Sequence, residues 1–526
     1  MLKDYEITSS EVPNGAYIEG FEIDISHLEV PADEVYKLNP QHLLMLKVAD
    51  QALRDAGLAE GKNVAIIIAT ATEFSAPQLQ EKWNFTGPSL TFNAKENSVF
   101  KALEIAQTIL VAKEVDAVLF GTVDLTGGIE NVLLRAQSEK INPGVSTLSY
   151  DQNMNGSMVG EGAGAVVLKL HETAKEDQDR IYAVIDAISL VQKNSTSEEL
   201  DSCSRLPDSE AVNQACQQAF NIAGIKPEDV NYLEVFGSGA QQEDSAEIKG
   251  LIHAYQTSEP DLSCAIGSVK ANIGHTDAAS GMDSLIKTAL CLYHRYIPAT
   301  PQWSGPKMPE VWQGSPFYVA CKSRPWFLHK GANRRVAAIN SMGPDGTYSH
   351  LILSEEPSQK ERSSRYLEQM PFYLFPLAAD DQSALLEQLG AVQQTIEDCS
   401  SLSTAASQIF AAFQKRSQAT YALAILGHNK DELTREIQRA IKGVANAFDK
   451  GEDWKTPTGS YFTANPLGKR GKVAFVYPGA FNSYIGLGRN IFRLFPKVYD
   501  SADNHVANIG RVLRERLLYP RSLNSL

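Results

Sequence analysis

The chain has 526 residues and a mass of 57.6 kDa, more than one hydrophobic core usually serves, so we expect two or more domains. Hydrophobic residues make up 43% of the chain and charged residues 21%, which is an ordinary globular composition. The formal charge of -15 lacks the positive field that nucleic-acid binding uses, and no apolar run approaches the roughly 20 residues that span a bilayer.

Short apolar and β-branched runs alternate along the chain with longer stretches of helical periodicity. This is the pattern of parallel strands joined by crossover helices, so we assign the chain to the α/β class. The first four strands are predicted in residues 63–72, 88–94, 117–125 and 162–170. Five further strands are predicted in residues 181–191, 232–239, 262–270, 336–343 and 350–354. The two successive groups indicate a duplicated α/β unit, although no literal repeat is visible between them.

A polar stretch at residues 355–365 marks a domain boundary. Beyond it, strands are predicted at residues 372–377 and 421–426 and a helix at residues 430–448, which together form a small α/β domain. After a connector rich in Pro and Gly, the run at 472–477 is followed by a short helical segment. This last part is too short for an independent α/β enzyme domain, so we interpret it as a fragment of something longer.

Cysteine usage indicates reduced thiols. The six cysteines, at positions 203, 216, 264, 291, 321 and 399, are scattered and form no C-x-x-C pair. This distribution argues against a disulfide framework and against a zinc site. No metal site and no directly bound cofactor are predicted. The first thirty residues contain no basic segment followed by an apolar stretch, so no secretory signal is readable and we expect a cytoplasmic protein.

Four motifs occur in order within the first 357 residues. They are residues 38–44 (LNPQHLL), 160–168 (GEGAGAVVL), 270–281 (KANIGHTDAASG) and 340–347 (NSMGPDGT). Their order and spacing resemble the β-ketoacyl synthases of fatty acid and polyketide assembly lines. The resemblance implies a thiolase-like fold with duplicated α/β/α/β/α layers. It also implies chemistry in which an enzyme-bound acyl thioester and a malonyl thioester undergo decarboxylative Claisen condensation.

The residues that the family needs for this chemistry are only partly present. A nucleophilic cysteine at a strand-to-helix elbow carries the acyl chain, and two histidines stabilise the enolate oxygen. Residues 93–99 align with the elbow and place Glu96 at the cysteine position. The family's H-G-T-G-T motif reads FGSGA here, so Phe236 replaces one histidine, whereas Lys270 and His275 remain. A carboxylate holds no thioester and a phenyl ring donates no hydrogen bond, so the resemblance is to an inactive homologue.

Each of these positions has a structural and a functional interpretation. Glu96 at a helix start complements the helix dipole, or it mimics a modified cysteine and assists malonyl decarboxylation. Phe236 fills the space vacated by histidine, or it contacts substrate. Lys270 and His275 form a buried hydrogen-bonded pair, or they retain residual catalysis.

Two glycine-rich stretches are interpreted as structural. Residues 160–164 lack the Lys-Ser/Thr ending of a phosphate cradle, so we predict a tight turn and close strand packing. Residues 343–347 take the place of the family's gating loop, but Pro344 and Asp345 replace a flexible aromatic-glycine pair, which predicts a fixed turn.

The chain most resembles chain-length factors, the ketosynthase-like partners of active ketosynthases in polyunsaturated fatty acid and heterocyst glycolipid synthases. The resemblance implies three partners: an active ketosynthase, an acyltransferase, and an acyl carrier protein that carries phosphopantetheine. Our leading hypothesis is a catalytically silent domain that shapes the acyl tunnel. The candidate tunnel residues are Leu125, Ile129, Val132 and Leu133. The alternatives are a malonyl-thioester decarboxylase that uses Glu96, His275 and Lys270, and a purely structural scaffold.

The resemblance also supplies domain boundaries. Residues 1–190 form an N-terminal thiolase-like half that looks truncated at its start, and residues 191–357 form the C-terminal half. Residues 358–468 resemble a ketosynthase-acyltransferase linker, and residues 469–526 the N-terminal fragment of an acyltransferase.

Overall fold

The computed structural model divides the chain into two compact units, Met1–Arg362 with Tyr484–Leu526, and Ser363–Ser483. The predicted domain boundaries themselves stay predictions. The residues that the structure describes are 15–18, 20–21, 39–70, 74, 76–92, 95–125, 129–138, 140–142, 144–193, 206–257, 262–328, 331–359, 372–399, 401–416, 418–467, 471–472, 474, 476, 482–495, 497–506 and 508–524.

The first sheet of the larger unit has four strands in the order β2-β1-β3-β4. Its elements are α1 (Pro40–Ala56), β1 (Val64–Thr70), α2 (Ala76–Lys82), β2 (Ser89–Phe92), α3 (Ser98–Val111), β3 (Ala117–Asp124), α4 (Ile129–Ser138), β4 (Gly162–Leu168) and α5 (His171–Glu176). Every residue of β1 and β3 is buried, as expected of strands covered by helices on both faces.

The second sheet has six strands in the order β5-β12-β11-β6-β7-β9, and β8 pairs separately with β10. Its elements are β5 (Val184–Gln192), α6 (Ser209–Ala223), β6 (Val230–Glu234), α7 (Gln241–Ala254), β7 (Cys264–Gly267), α8 (Lys270–Ile273), α9 (Ser280–His294), β8 (Tyr296–Ile297), β9 (Phe317–Val319), β10 (Arg324–Pro325), β11 (Val336–Met342) and β12 (Thr347–Ser354). All nine strands predicted for this unit overlap strands of the structure.

The prediction of parallel strands throughout is wrong at three places. The strands β2, β1 and β3 run parallel, as do β11, β6, β7 and β9. However, β4 is antiparallel to β3, and β12 is antiparallel to both of its neighbours. The loop 343–346 between β11 and β12 is too short for a crossover, so those two strands can only form a hairpin.

The two sheets and their helices stack in five layers, as the fold class predicts. The helices α1 and α2 cover the outer face of the first sheet, and α6 and α7 cover the outer face of the second. Between the sheets, α3 and α9 share one hydrophobic core with strands of both. The two central helices approach closely at Gly281, where an added Cβ would lie 2.8 Å from the Cβ of Val99. This contact places the starts of both helices side by side.

The second unit contains a four-stranded antiparallel sheet in the order β13-β14-β16-β15. Its elements are β13 (Tyr373–Ala379), α10 (Gln382–Asp398), α11 (Leu402–Lys415), β14 (Tyr421–Gly427), α12 (Lys430–Lys450), β15 (Asp453–Lys455) and β16 (Tyr461–Thr463). The helix α12 buries Leu433, Ile437, Ala440 and Val444, the apolar stripe that its sequence predicts.

Residues 484–524, called here the C-terminal segment, belong to the first unit. The segment contains α13 (Arg489–Leu494), α14 (Lys497–His505), α15 (Ile509–Val512) and α16 (Glu515–Leu518). Phe492, Tyr499 and Tyr519 pack around Phe327. The run at 472–477 lies mostly outside the described residues, and its described members 472, 474 and 476 are not in a strand. Among the described residues, no helix combines the length and the apolar character needed to cross a membrane.

Candidate functional site

The predicted elbow is a short 3-10 turn, Lys95–Asn97, directly before α3. Asn97 is fully buried, and its Nδ2 donates to the carbonyl oxygen of Thr347 at 2.7 Å. Its Oδ1 accepts from the hydroxyl of Ser349 at 3.2 Å. These two bonds tie the turn to β12, so the backbone that carries Glu96 is held in place. The Glu96 side chain is only 18% exposed.

Backbone hydrogen bonds hold His275 against the segment that contains Met158 and Gly160, and the two backbones pack closely. Its N–H donates to the carbonyl oxygen of Met158 at 2.7 Å, and its own carbonyl accepts from Gly160 at 3.2 Å. An added Cβ on Gly160 would overlap the carbonyl of Ile273, and Gly274 adopts a φ of 71°. The glycines therefore permit the close approach that leaves His275 only 5% exposed.

Two carboxylates face the His275 imidazole. Its Nε2 lies 3.8 Å from Oε1 of Glu96 and 3.6 Å from Oδ1 of Asp277, both beyond hydrogen-bond length. Asp277 has a φ of 41°, an uncommon left-handed conformation for a residue with a side chain. Arg135 in α4 contacts Oδ2 of Asp277 at 3.1 Å. The structure thus brings the predicted Glu96 and His275 together and adds Asp277, which is not a predicted site residue.

Phe236 packs between Lys270 and His275. Its ring meets the imidazole edge to face with centroids 5.7 Å apart, and Nζ of Lys270 lies 4.3 Å from the ring centroid. Lys270 donates to the carbonyl oxygen of Phe236 at 2.8 Å rather than to His275, so the expected hydrogen-bonded Lys270–His275 pair is not formed. Burial lowers the pKa of Lys270, whereas the charges of Glu247 and other nearby acids oppose that shift.

Glu247 in α7 anchors the loop that carries Phe236. This fully buried carboxylate accepts from the N–H groups of Phe236 and Gly237, both at 2.8 Å. It also accepts from the Tyr150 hydroxyl at 2.6 Å and from Nδ2 of Asn340 at 2.7 Å. Four donors compensate the buried charge and set the loop geometry. The sequence contains a signal for this role, because Glu247 lies among the apolar residues of α7, and a buried acid requires hydrogen-bond partners.

Asp244, one turn before Glu247, holds the other end of the same loop. Its Oδ1 accepts from the Ser149 hydroxyl at 3.1 Å and from the N–H of Gly239 at 3.2 Å. Burial, with the nearby charge of Glu247, raises the pKa of Asp244 to about 7. This carboxyl is therefore poised between its neutral and charged forms near neutral pH.

A small cavity adjoins Lys270 and His275 on the side of Met158 and Gly237. Three polar atoms of its lining residues are buried with no hydrogen-bond partner among the described residues: Oγ1 of Thr147, Oγ of Ser268 and Nδ1 of His275. Buried polar groups normally have partners, so this cavity suits a water molecule or a polar group of a ligand.

The close strand packing predicted at residues 160–164 and the fixed turn predicted at residues 343–347 are both present, but the tight turn predicted at 160–164 is not: Gly160 forms a β-bridge with Ala16 and the next glycines lie in a strand. Gly162 and Gly164 lie in β4. An added Cβ on Gly162 would contact Asp283 and Thr276, and one on Gly164 would contact Met282. In the loop 343–347, the N–H of Gly346 donates to the carbonyl of Gly343 at 3.0 Å. The Asp345 carboxylate binds Nζ of Lys101 at 2.6 Å and the N–H of Thr347 at 3.1 Å. These bonds form the fixed turn that the sequence predicts.

The four candidate tunnel residues occupy different environments at α4. Leu125 is partly buried against the core beneath α1, and the side chain of Ile129 lies outside the described part. Val132 is 2% exposed, whereas Leu133 is 46% exposed. Arg135 of the same helix reaches Asp277, so α4 flanks the carboxylates around His275. Of the candidates with described side chains, Leu133 is the most exposed.

The three buried cysteines, Cys216, Cys264 and Cys291, are not activated thiols, because burial raises the pKa of each. Sγ of Cys216 lies 3.4 Å from Nδ1 of His350, an arrangement that resembles a catalytic pair. However, burial raises the pKa of Cys216 and lowers that of His350 to about 3, so thiol and imidazole are both neutral. Cys264 and Cys291 are also buried, and Cys203 lies outside the described residues. The Cys216 contact is part of the core.

Comparisons with known proteins support the predicted family. Residues 63–174 match the N-terminal domain and residues 182–304 the C-terminal domain of β-ketoacyl synthases. The chain is 28% identical to one of the polyunsaturated fatty acid synthase subunits of Thraustochytrium, over 93% of this chain and 27% of that protein. It is 26% identical to polyketide synthase PksL of Bacillus subtilis, over 86% of this chain and 10% of that protein. The chain thus spans a minor part of these relatives.

Solved structures show the same architecture. A ketosynthase from module 6 of the bacillaene synthase of Bacillus subtilis is 27% identical, with a TM-score of 0.58 over 79% of this chain and 73% of that one. An oxazolomycin ketosynthase domain of Streptomyces albus, at 23% identity, gives a TM-score of 0.60 over 82% of this chain and 78% of that one, a likeness of fold alone.

Proposed function

Because the chain contains both halves of a β-ketoacyl synthase domain with the thiolase-like fold, we propose that it is a condensation-incompetent partner of an active ketosynthase. In this role it shapes the acyl tunnel of a fatty acid or polyketide-type synthase. The observation that carries the proposal is the position of Glu96, whose carboxylate faces His275 from the turn before α3, where the family has its nucleophile.

The chemistry of Glu96 and Phe236 supports the loss of condensation. A carboxylate that attacked a thioester would give a mixed anhydride, which water cleaves, so no stable acyl chain is stored. Phe236 offers no donor where the enolate oxygen would develop charge, and loss of one such donor costs about 100- to 1000-fold in rate. The ring instead packs on Lys270 and His275.

Two features of the first unit support pairing with another chain. The strand β2 lies at the edge of its sheet, where N–H and C=O groups can pair with a strand of a partner. Leu133 on α4 is half-exposed next to the side of the molecule that carries Arg135 and Asp277. A ketosynthase with its own nucleophile is the proposed partner, and an acyl carrier protein and an acyltransferase supply its substrates.

Covalent loading tests the incompetence directly. The full chain is incubated with an acyl-loaded carrier protein, and its intact mass is measured. We expect no adduct on the natural chain, and an acyl adduct on Glu96→Cys, because a thiol then stands at the elbow. Cys216→Ser in the natural background checks that a buried thiol is not the source of any signal. A stable acyl adduct on the natural chain would refute the proposal.

Product length tests the tunnel role. In the reconstituted pair, Leu133→Ala should shift products towards longer chains, because each methylene in a tight pocket is worth about 1 to 3 kcal/mol, or roughly tenfold or more in selection. Val111→Ala, exposed at the end of α3, is the matched control and should leave the distribution unchanged. An unchanged distribution with Leu133→Ala would count against the tunnel role.

A second candidate function is malonyl-thioester decarboxylation with Glu96, His275 and Lys270. The supporting observation is the cavity beside Lys270, where the buried atoms of Thr147 and Ser268 have no partner among the described residues and could bind a thioester carbonyl or a carboxylate. Incubation with a malonyl-loaded carrier protein should then release carbon dioxide and leave acetyl product, and Lys270→Met should abolish the release. Release no faster than in buffer would eliminate this candidate.

A further inference from the structure

Three potential metal ligands converge at the elbow from two separate parts of the chain. Glu96 lies on the turn before α3, and His275 and Asp277 lie on the loop between α8 and α9. One ligand atom from each residue can be chosen so that all three lie within 4.8 Å of one another. Two carboxylates and one imidazole form a donor set that suits divalent transition-metal ions.

We propose that Glu96, His275 and Asp277 form a binding site for a divalent transition-metal ion, with Zn²⁺ as the representative. The site goes beyond the role of a silent ketosynthase partner, because that role requires no metal. It also departs from the sequence-based expectation of no metal site, which rested on cysteine spacing alone. The ion joins the elbow to the loop of His275 at the point where the family has its reactive sulfur.

The state of His275 is the observation that points to a ligand. The residue is 5% exposed, and neither ring nitrogen makes a hydrogen bond with a described residue. Its Nε2 nevertheless points at two carboxylate oxygens, 3.6 and 3.8 Å away. Two ligands of a tetrahedral Zn²⁺ stand about 3.4 Å apart, given bonds of about 2.0 to 2.1 Å. The two distances to Nε2 therefore need shifts of only a few tenths of an ångström, and the ligand atoms of Glu96 and Asp277 lie within 4.8 Å of each other.

The remaining nitrogen supports the same assignment. A histidine that binds a metal through Nε2 usually donates its Nδ1 hydrogen to a neighbouring acceptor or water. His275 lines the cavity together with Thr147 and Ser268, and Nδ1 of His275 and the hydroxyl oxygens of the other two are buried with no partner among the described residues. A water molecule in this cavity would accept from Nδ1 and donate to one of the hydroxyl oxygens.

Two nearby cations, Arg135 and Lys270, hydrogen-bond to atoms other than those that face Nε2 of His275. Arg135 contacts Oδ2 of Asp277, whereas Oδ1 is the atom that faces His275. Nζ of Lys270 donates to the carbonyl of Phe236, which turns the ammonium group towards that residue. A divalent ion balances the charges of the two carboxylates, which offsets its repulsion from Lys270.

Metal titration of the full chain tests the proposal. The protein is treated with a chelator, dialysed, and titrated with ZnCl₂ by calorimetry, with the metal content measured after equilibrium dialysis. We expect one ion per chain, and at least tenfold weaker binding in Glu96→Gln and in His275→Gln. His253→Gln, exposed at the end of α7, is the matched control and should bind as the natural chain does. Absence of stoichiometric binding, or equal affinity in Glu96→Gln and the natural chain, would overturn the proposal.

Cobalt gives a second readout that does not depend on the buried histidine variant. Co²⁺ bound to the natural chain should show the visible absorption of a low-coordinate site, and Glu96→Gln should lose it while far-UV circular dichroism stays unchanged. An absorption spectrum identical to that of aqueous Co²⁺ counts against the site. Failure of this test leaves the product-length experiment with Leu133→Ala unaffected, so the two proposals fail independently.

Discussion

Replacing Asp244 by Asn should stabilise the first unit, and more so at higher pH. The pKa of this carboxyl is raised by burial from an ordinary 3.8 to about 7, so the folded protein holds its proton more tightly than the unfolded chain does. Stability associated with Asp244 is then fully present below pH 4 and is lost as the pH rises through about 7. Three pKa units at 1.36 kcal/mol each correspond to about 4 kcal/mol at pH 8.

Asn is a matched replacement because its Oδ1 can accept from the Ser149 hydroxyl and from the N–H of Gly239, as Asp244 does. It carries no charge to bury beside Glu247. We therefore expect Asp244→Asn to raise the free energy of unfolding by about 4 kcal/mol at pH 8 but by only about 1 to 2 kcal/mol at pH 5, where the folded Asp244 is already mostly protonated.

Urea denaturation followed by tryptophan fluorescence measures this difference, because Trp83, Trp303, Trp312 and Trp326 all lie in the first unit. Asp116→Asn, at an exposed position of the same unit, is the control and should show no such pH dependence. A stabilisation of the same size at pH 5 and pH 8 would show that the buried charge of Asp244 does not lower the free energy of unfolding, and would refute this prediction.

Three further substitutions test the packing around the site and in the second unit. Phe236→Ala should destabilise the first unit by about 3 to 5 kcal/mol, because the ring fills the space between Lys270 and His275, and a loss below 1 kcal/mol in urea denaturation would contradict this packing. Gly274→Ala should cost about 2 kcal/mol or more, since its φ is positive and a Cβ would overlap a carbonyl; an unchanged melting temperature would contradict the close approach. Gly390→Ala, in open space within α10, should instead stabilise the second unit by about 0.5 to 1 kcal/mol, and a lowered melting temperature of that unit would speak against it.

Much of the fold is predictable from the sequence where burial is continuous. The strands β1 and β3 are short apolar runs between polar ends, and α12 repeats apolar residues every three or four positions. Strand direction is not readable in the same way, because β4 and β12 have the same apolar character whether they run parallel or antiparallel. The strand direction could be inferred only for β12, because the loop 343–346 that joins it to β11 is too short for a crossover.

Some residues of the candidate site could likewise be predicted from the sequence, and others could not. Glu96 and Phe236 could be placed by motif order, because the family motifs lead one to expect a cysteine at the first position and a histidine at the second. Asp277 could not, because its approach to His275 depends on a left-handed backbone angle that the sequence does not reveal. Glu247 could have been suspected as an acid on the apolar stripe of α7, but its four donors come from residues 150, 236, 237 and 340, which only the folded chain brings together.

The first unit consists of two separate stretches of the chain, residues 1–362 and 484–526, which limits where the chain can be cut or recombined. Arg295 and Arg335 are both buried and share the carboxylate of Glu355, and each reaches an acid of the C-terminal segment, Asp500 or Asp503. A fragment that ends near residue 362 would lose both acids and expose the aromatic surface around Phe327 to water. To express the first unit alone, residue 362 should be joined to the C-terminal segment by a short linker. Exchanges of this unit between related proteins should transfer both stretches together.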